Sequence, residues 1–189
     1  MDNKLKIINY LGKHINEEHT MHKLSKLLKI PYATFYRTIK EMKDIVIKKQ
    51  IGKAYIITLN KNQIKSYLIV SSIEEKKEYL EKHPIINKIS KEIQTKDMLL
   101  LFGSYAKKTQ TEKSDIDLLI INKDGKKTIT FSKYELLFKI KINPIFITKN
   151  EYKQMLKENQ ENLGKQVLKD HIILNNADEF WGETLNAIW

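Results

Sequence analysis

LLLFGSYAKKTQTEKSDIDLLII, residues 99–121, is the stretch that decides how this chain is read. It opens and closes on short runs of Leu and Ile, each too short for an ordinary helix and each bounded by turn residues, so both read as buried strands. Gly103 and Ser104 end the first run, MLLLFGSYA, residues 98–106. Asp115 and Asp117 open the second, and residues two apart on a strand send their side chains to one face. Two carboxylates at the mouth of a buried strand suit a hard divalent cation such as Mg²⁺ or Mn²⁺. A Gly-Ser step at a strand end lets the backbone approach a phosphate closely and present its N–H groups. Alone, an Asp-x-Asp is usually a solvated strand end and a Gly-Ser pair usually a turn. Their order between two buried strands is what makes a site of them.

Outward from this stretch, INPIFIT (142–148) reads as a third strand, residues 150–170 as helical, and HIILNN (171–176) as a last short strand or helix edge. Upstream, Ile85, Ile89 and Ile93 mark an amphipathic helix, and the His83-Pro84 step ends or kinks the helix before it. Strands mixed with helices imply an α/β or α+β domain. A metal pair held there would stabilise the attacking and leaving oxygens of an in-line phosphoryl displacement, the outline of nucleotidyl transfer. Ser114 reads as a turn residue ahead of the strand, with no His partner to make it a nucleophile.

Gly103-Ser104 followed eleven positions later by Asp115-Ile116-Asp117 resembles the signature of the DNA polymerase β-like nucleotidyltransferase superfamily, most closely the minimal nucleotidyltransferases. The resemblance covers residues 85–180. It implies that Gly103 and Ser104 hold the triphosphate of an NTP and that Asp115 and Asp117 bind the metal and serve catalysis. It sets Lys107, where many relatives have Arg, against phosphate. Active members carry a third carboxylate on a later strand, which binds metal and deprotonates the attacking hydroxyl. Here spacing puts Asn143 in that place, and an amide is no general base and a poorer Mg²⁺ ligand. Glu135 lies upstream, in a run that reads as helix. Winged-helix–nucleotidyltransferase fusions of archaea and bacteria also read Asn-Pro on this strand.

The amino-terminal third has a different pattern. Leu5, Ile7, Ile8, Leu11 and Ile15 share one helical side. Thr20 opens a second helical run with Leu24, Leu27 and Leu28, and Pro31 opens a third. In that third helix Phe35, Ile39 and Met42 face inward. IVIKKQIGKAYIITL, residues 45–59, then reads as two strands joined at Gly52. Three short helices and a hairpin are the plan of a winged helix-turn-helix, and the segment resembles small winged transcription regulators. On that plan the third helix enters the major groove. Its outward face carries Thr34, Arg37 and Lys40, flanked by Tyr36, with Arg37 placed to read a guanine edge. Lys48, Lys49 and Lys53 cluster around the wing tip and suit phosphate.

Charge supports that reading. The net charge is +11, and Arg37 is the only arginine. Residues 1–60 hold 12 Lys and Arg against 5 Asp and Glu, a net of +7, and residues 61–189 hold 22 against 18, a net of +4. Lysine supplies long-range attraction to polyanions, and a basic half points to nucleic acid. Cysteine is absent, which excludes disulfides and thiolate metal sites and fits a reducing cytoplasm. No apolar run approaches the ~18 residues that span a bilayer, and MDNKLKIINY (1–10) lacks the basic-then-apolar layout expected of a secretory signal. The five histidines, 14, 19, 22, 83 and 171, show no zinc-ligand spacing and read as surface or helix-end residues; EEKKEYLEKH (74–83) reads as a solvated face, and Trp181 and Trp189 as packing a last helix.

The expectation is an α+β protein of the cytoplasm. Residues 1–60 form a winged helix-turn-helix that binds double-stranded DNA, 61–84 a helical linker, and 85–189 a nucleotidyltransferase-type mixed sheet with flanking helices. Its ligands are Mg²⁺ or Mn²⁺ and an NTP, its reaction nucleotidyl transfer to a toxin-like protein partner in the manner of an antitoxin. The alternative is a transcriptional regulator whose nucleotidyltransferase domain is catalytically degenerate. Winged helices often bind two half-sites, which makes a homodimer the expected assembly.

Overall fold

Asp2 accepts a hydrogen bond from the Leu5 N–H through its Oδ1 at 2.8 Å and so starts the first helix, α1 (Asn3–Lys13). The computed structural model describes residues 1–189 and divides into two units, Met1–Ser71 and Ser72–Trp189. After α1 come strand β1 (His19–Thr20), helices α2 (Met21–Leu27) and α3 (Tyr32–Glu41), strands β2 (Val46–Ile51) and β3 (Ala54–Leu59), and then the 19-residue helix α4 (Ile64–Lys82), within which the division falls. Thr20 caps α2 by accepting from the Lys23 N–H at 3.2 Å.

Phe35, Ile39 and Met42 are buried as their spacing requires, together with Ile7, Ile8 and Leu24. Gly52, at φ +58°, supplies the left-handed turn between β2 and β3. Four expectations are corrected here. The hairpin is a three-stranded antiparallel sheet of order β1-β3-β2, because His19 and Thr20 pair with Ile57 and Ile56. Leu27, the last residue of α2, is 48% exposed and does not share the burial of Leu24. Pro31 sits at the cap position just ahead of α3, not in its first turn. His19 is buried, so it is not a surface histidine.

The second unit continues through α5 (Pro84–Glu92), β4 (Met98–Phe102), α6 (Gly103–Lys107), β5 (Ile116–Asn122), α7 (Ser132–Phe138), β6 (Ile142–Thr148), α8 (Lys149–Lys157), α9 (Leu163–Lys169), β7 (Ile172–Asn175) and α10 (Ala177–Ile188). Its sheet runs β6-β5-β4-β7, with β4 antiparallel to both neighbours and β5 parallel to β6. A parallel pair needs a crossover, and α7 lies within it. Leu99, Leu101, Ile116, Leu118 and Ile120 pack in one cluster with Tyr79, Ile86 and Ile89. Leu100, Leu119 and Ile121, at the alternate positions, are buried too. Burial on both faces explains why β4 and β5 are unbroken apolar runs rather than alternating ones.

Burial also corrects the reading of residues 74–83. Tyr79 is 3% exposed, and the Lys76 Nζ donates to the Leu174 carbonyl, with burial pushing its pKa down. In α5 the buried residues are Ile86 and Ile89, with Ile85 only partly buried. Trp181 is buried and its Nε1–H donates to Ser72 Oγ at 2.9 Å, while Trp189 is 40% exposed. His171 is buried against Phe180 and Trp181, not on the surface. No helix is long and apolar enough to cross a membrane.

Candidate functional site

Strand β4 delivers the chain to Gly103 at φ +69°, a left-handed conformation that favours glycine. A Cβ at this position would stand 2.1 Å from Asp117 Oδ2 and 3.0 Å from its Cγ. The glycine therefore lets the backbone come against the carboxylate. Phe102 pairs with Asp117 across the antiparallel β4–β5 ladder, and Asp117 pairs with Asn143 across the parallel β5–β6 ladder. Register alone thus sets Gly103, Asp117 and Asn143 in a row at one end of the sheet.

Asp115 precedes β5 by one residue and joins the row through its side chain. The Asn143 Nδ2 donates to Asp115 Oδ2 at 3.1 Å and to Asp117 Oδ1 at 3.3 Å, so one amide draws both carboxylates toward a single point. The Lys141 Nζ stands 3.4 Å from Asp115 Oδ2. Strand β6 is fixed at this end by two bonds: the Ile116 N–H donates to the Lys141 carbonyl at 2.9 Å, and the Ile142 N–H donates to Glu135 Oε1 at 2.9 Å. The Glu135 carboxylate is thereby tied to the backbone one residue before Asn143.

Ser104 lies in the short helix α6, and its carbonyl accepts from the Thr109 N–H at 3.0 Å. Lys107 ends that helix as an exposed side chain. The Tyr79 hydroxyl donates to the Tyr105 carbonyl at 3.1 Å, which anchors α6 to α4, and burial pushes the Tyr79 phenol well above its ordinary pKa. The ring stacks on His83 at 3.9 Å. The His83 Nδ1–H donates to the Tyr79 carbonyl at 2.8 Å, which leaves Nε2 to accept from Gln110 at 3.3 Å. Ser114 Oγ accepts from the Thr111 N–H at 2.9 Å and closes the loop ahead of Asp115.

Two carboxylates and an amide are the oxygen-rich chemistry that a hard divalent cation takes. Turning the Asn143 amide about its last bond exchanges the donating nitrogen for a carbonyl oxygen and makes a third oxygen ligand. The residues present therefore fit such an ion. Lys141 and Tyr79 were absent from the sequence reading of this site, and Glu135 was set aside there as lying upstream in a helix. Glu135 carried a partial signal, as an acid seven residues before the strand it braces.

In the amino-terminal unit, Thr34, Arg37 and Lys40 are exposed on α3. The Lys40 and Lys48 ammoniums lie 5.1 and 5.3 Å from the Tyr36 ring centre, and Lys48 is 3.8 Å from that of Tyr55. Tyr36, Lys40 and Lys48 are therefore brought together beside α3. Lys49 follows on the opposite side of β2, and Lys53 stands in the turn beside Gly52. The three lysines of the hairpin do not form one cluster at its tip, because strand alternation parts Lys48 from Lys49.

Residues 84–184, just over half of the chain, match the model of the nucleotidyltransferase domain family. A protein of Methanocaldococcus jannaschii named provisionally as a protein adenylyltransferase is 47% identical over 51 residues, 27% of this chain and 49% of that protein. The chain thus spans about half the length of the curated relative that it matches. A crystal structure described as a toxin-antitoxin with AMP-PNP aligns over 56% of this chain and 82% of its own at 19% identity, with a TM-score of 0.36, too low to carry the fold. The match over residues 84–184 takes in Gly103, both aspartates and Asn143, and with it the chain belongs to the nucleotidyltransferase domain family.

Proposed function

We propose that the carboxyl-terminal unit binds an NTP with Mg²⁺ and transfers its nucleotidyl group to a hydroxyl of a protein partner, and that the amino-terminal unit is a winged helix that binds double-stranded DNA. The observation that carries the first half is the convergence of Asp115 and Asp117 on the Asn143 amide beside the bare backbone of Gly103. Asp115, Asp117 and a turned Asn143 would hold the cation. When bound, Mg²⁺ supplies charge neutralisation on the phosphates and on the leaving group.

The residues of the chain do the rest. Gly103 and Ser104 present backbone to the triphosphate, and Lys107, exposed at the end of α6, reaches toward its outer phosphates. In transfer, the acceptor oxygen bonds to the α-phosphorus, the α–β bridge breaks, pyrophosphate leaves, and the acceptor proton passes to water. Asn143 takes no proton, so the site orients a triphosphate better than it activates a hydroxyl. The provisional name of the archaeal relative favours adenylyl as the group and protein as the acceptor. A toxin-like partner is the acceptor that the minimal nucleotidyltransferase resemblance implies.

The winged-helix half is supported by three helices with a three-stranded sheet whose hairpin follows the third of them, by Thr34, Arg37 and Lys40 on the open face of α3, and by the net +7 of residues 1–60. A second reading, a DNA-binding regulator with a catalytically degenerate nucleotidyltransferase unit, is favoured by one observation: an amide stands where a carboxylate would remove the proton.

Thermal unfolding with MgATP, MgGTP and MgCTP tests the site, on wild type beside Asp115→Asn/Asp117→Asn. A ligand at ~100 times its Kd adds about 2.7 kcal/mol, and for a chain of this size about 2–4 °C of midpoint per kcal/mol. A metal-dependent rise of several degrees, lost in the double variant, is expected. Failure of every nucleotide to raise the midpoint overturns the assignment. Label from an α-labelled NTP appearing in added protein then separates transfer from binding alone.

A further inference from the structure

A second set of ligand-bearing side chains lies in the amino-terminal unit. His14 follows the last residue of α1, Glu17 sits in the turn whose N–H donates to the His14 carbonyl at 2.9 Å, and His19 opens β1. The His14 Nδ1 is 3.2 Å from Glu17 Oε1, and the His19 Nε2 is 3.3 Å from Glu17 Oε2. One ligand atom from each residue lies within 4.8 Å of the other two. Metal–ligand bonds of ~2.0–2.1 Å at tetrahedral angles set neighbouring ligand atoms about 3.3 Å apart. Both histidine–glutamate separations are close to that value, each to a different oxygen of the Glu17 carboxylate, so a turn of that carboxylate would bring one oxygen toward both rings. The two ring centroids stand 6.0 Å apart, and a bound ion would require His14, whose side chain is 20% exposed at the end of the helix, to rotate toward His19.

The state of His19 is the independent observation. The ring is 2% exposed, and neither Nδ1 nor Nε2 has a hydrogen-bond partner; Glu17 is near enough to Nε2 for an ion pair but is not aligned as an acceptor. A neutral imidazole has one N–H and one lone pair, and burying both unmet is unfavourable. A cation between the three side chains takes the lone pair. Tyr10, stacked on His14 at 4.2 Å and 5.4 Å from His19, walls the cluster on one side.

We propose that His14, Glu17 and His19 bind one divalent transition-metal ion, with Zn²⁺ as the best match. Two imidazoles and a carboxylate are a borderline nitrogen and oxygen set that Zn²⁺ accepts, with a fourth position left to water. Hard Mg²⁺, which favours oxygen, belongs instead at the aspartates. The ion would clasp the end of α1 to β1, and through the pairing of His19 with Ile57 to β3.

The test uses the full chain, cleared of metal by a chelator and titrated with Co²⁺ and then Zn²⁺. It is run in the Asp115→Asn/Asp117→Asn background, so that the carboxylate pair cannot answer for the site. One equivalent of Co²⁺ with the visible absorption of a four-coordinate ion, displaced by Zn²⁺, is expected. Glu17→Gln and His14→Gln, both at partly exposed side chains, should each weaken binding by more than the ~10–100-fold that loss of an outer-shell partner causes. His19→Gln should do the same, and circular dichroism shows whether that variant keeps its fold. Binding that is undiminished in Glu17→Gln and His14→Gln overturns the proposal, as does a folded chain that takes up neither ion.

Discussion

At the scale of single residues, Gly103 is the most constrained position near the aspartates. Two effects act there and can be separated. Left-handed backbone disfavours any side chain by roughly 1–2 kcal/mol, and the added methyl of Gly103→Ala would also displace the Asp117 carboxylate. Gly52 has a similar φ with open space around it, nothing lying within 4 Å of where a methyl would stand, so Gly52→Ala measures the backbone effect alone. Urea midpoints should fall in both variants, further for Gly103→Ala, and only that variant should lose any Mg-nucleotide thermal shift. Equal behaviour of the two would mean that Asp117 has room to move. The residues that could be read in advance were those whose chemistry is local: Gly103, the two aspartates, and Asn143 by its spacing. Lys141 escaped notice, and Glu135 was set aside, because their roles depend on where a crossover returns them; Tyr79 was missed because one aromatic in a charged run resembles surface.

Among the elements, the β6–α8 junction shows a signal that local chemistry fixes. Thr148 accepts from the Glu151 N–H at 3.0 Å, and Glu151 Oε2 accepts from the Thr148 N–H at 2.7 Å, a reciprocal cap that starts α8 where β6 stops. The bonds from the Thr148 N–H and hydroxyl hold the Glu151 carboxyl below its ordinary 4.5. A depressed pKa contributes stability above the unfolded value and loses it as pH falls through the folded one. Wild type should therefore be more stable than Glu151→Gln at pH 7, with the margin shrinking as pH drops below 4.5. Urea midpoints from pH 7 to 3 check this, and a margin independent of pH would remove the charged cap from the account. The longer elements were readable because hydrophobic periodicity fixes them. Strand β1 was not, because two residues carry no period and its pairing with β3 is set by contacts far along the chain. The division between the units lies inside the stretch 61–84 expected as a helical linker, but its position within α4 has no local signal: Ser71 and Ser72 are helical and buried, with no Gly or Pro to mark a boundary.

On the scale of the whole molecule, the uneven charge is the property that bears on partners. The net +7 of residues 1–60 includes the one arginine, and lysine and arginine act differently on DNA. A lysine against phosphate releases a condensed counterion, so log K falls with log salt by about 0.9 per contact and is blind to sequence. Arginine at a base edge discriminates between bases by about 1–3 kcal/mol. The two classes of residue should part under mutation. Lys49→Ala and Lys53→Ala, exposed on the hairpin, should weaken binding evenly across DNA sequences and each reduce the salt slope by about one. Arg37→Ala, exposed on α3, should instead narrow the gap between preferred and random duplexes. Tyr36 with Lys40 and Lys48 stacked on its ring adds a third case, since Tyr36→Ala removes the packing that holds two cations beside α3 and should weaken binding without removing a charge. Fluorescence anisotropy over a salt series, with a selected and a scrambled duplex, reads all of these together. Lysine variants that leave the slope unchanged, with Arg37→Ala losing no discrimination, would mean that the basic face of the amino-terminal unit serves something other than DNA.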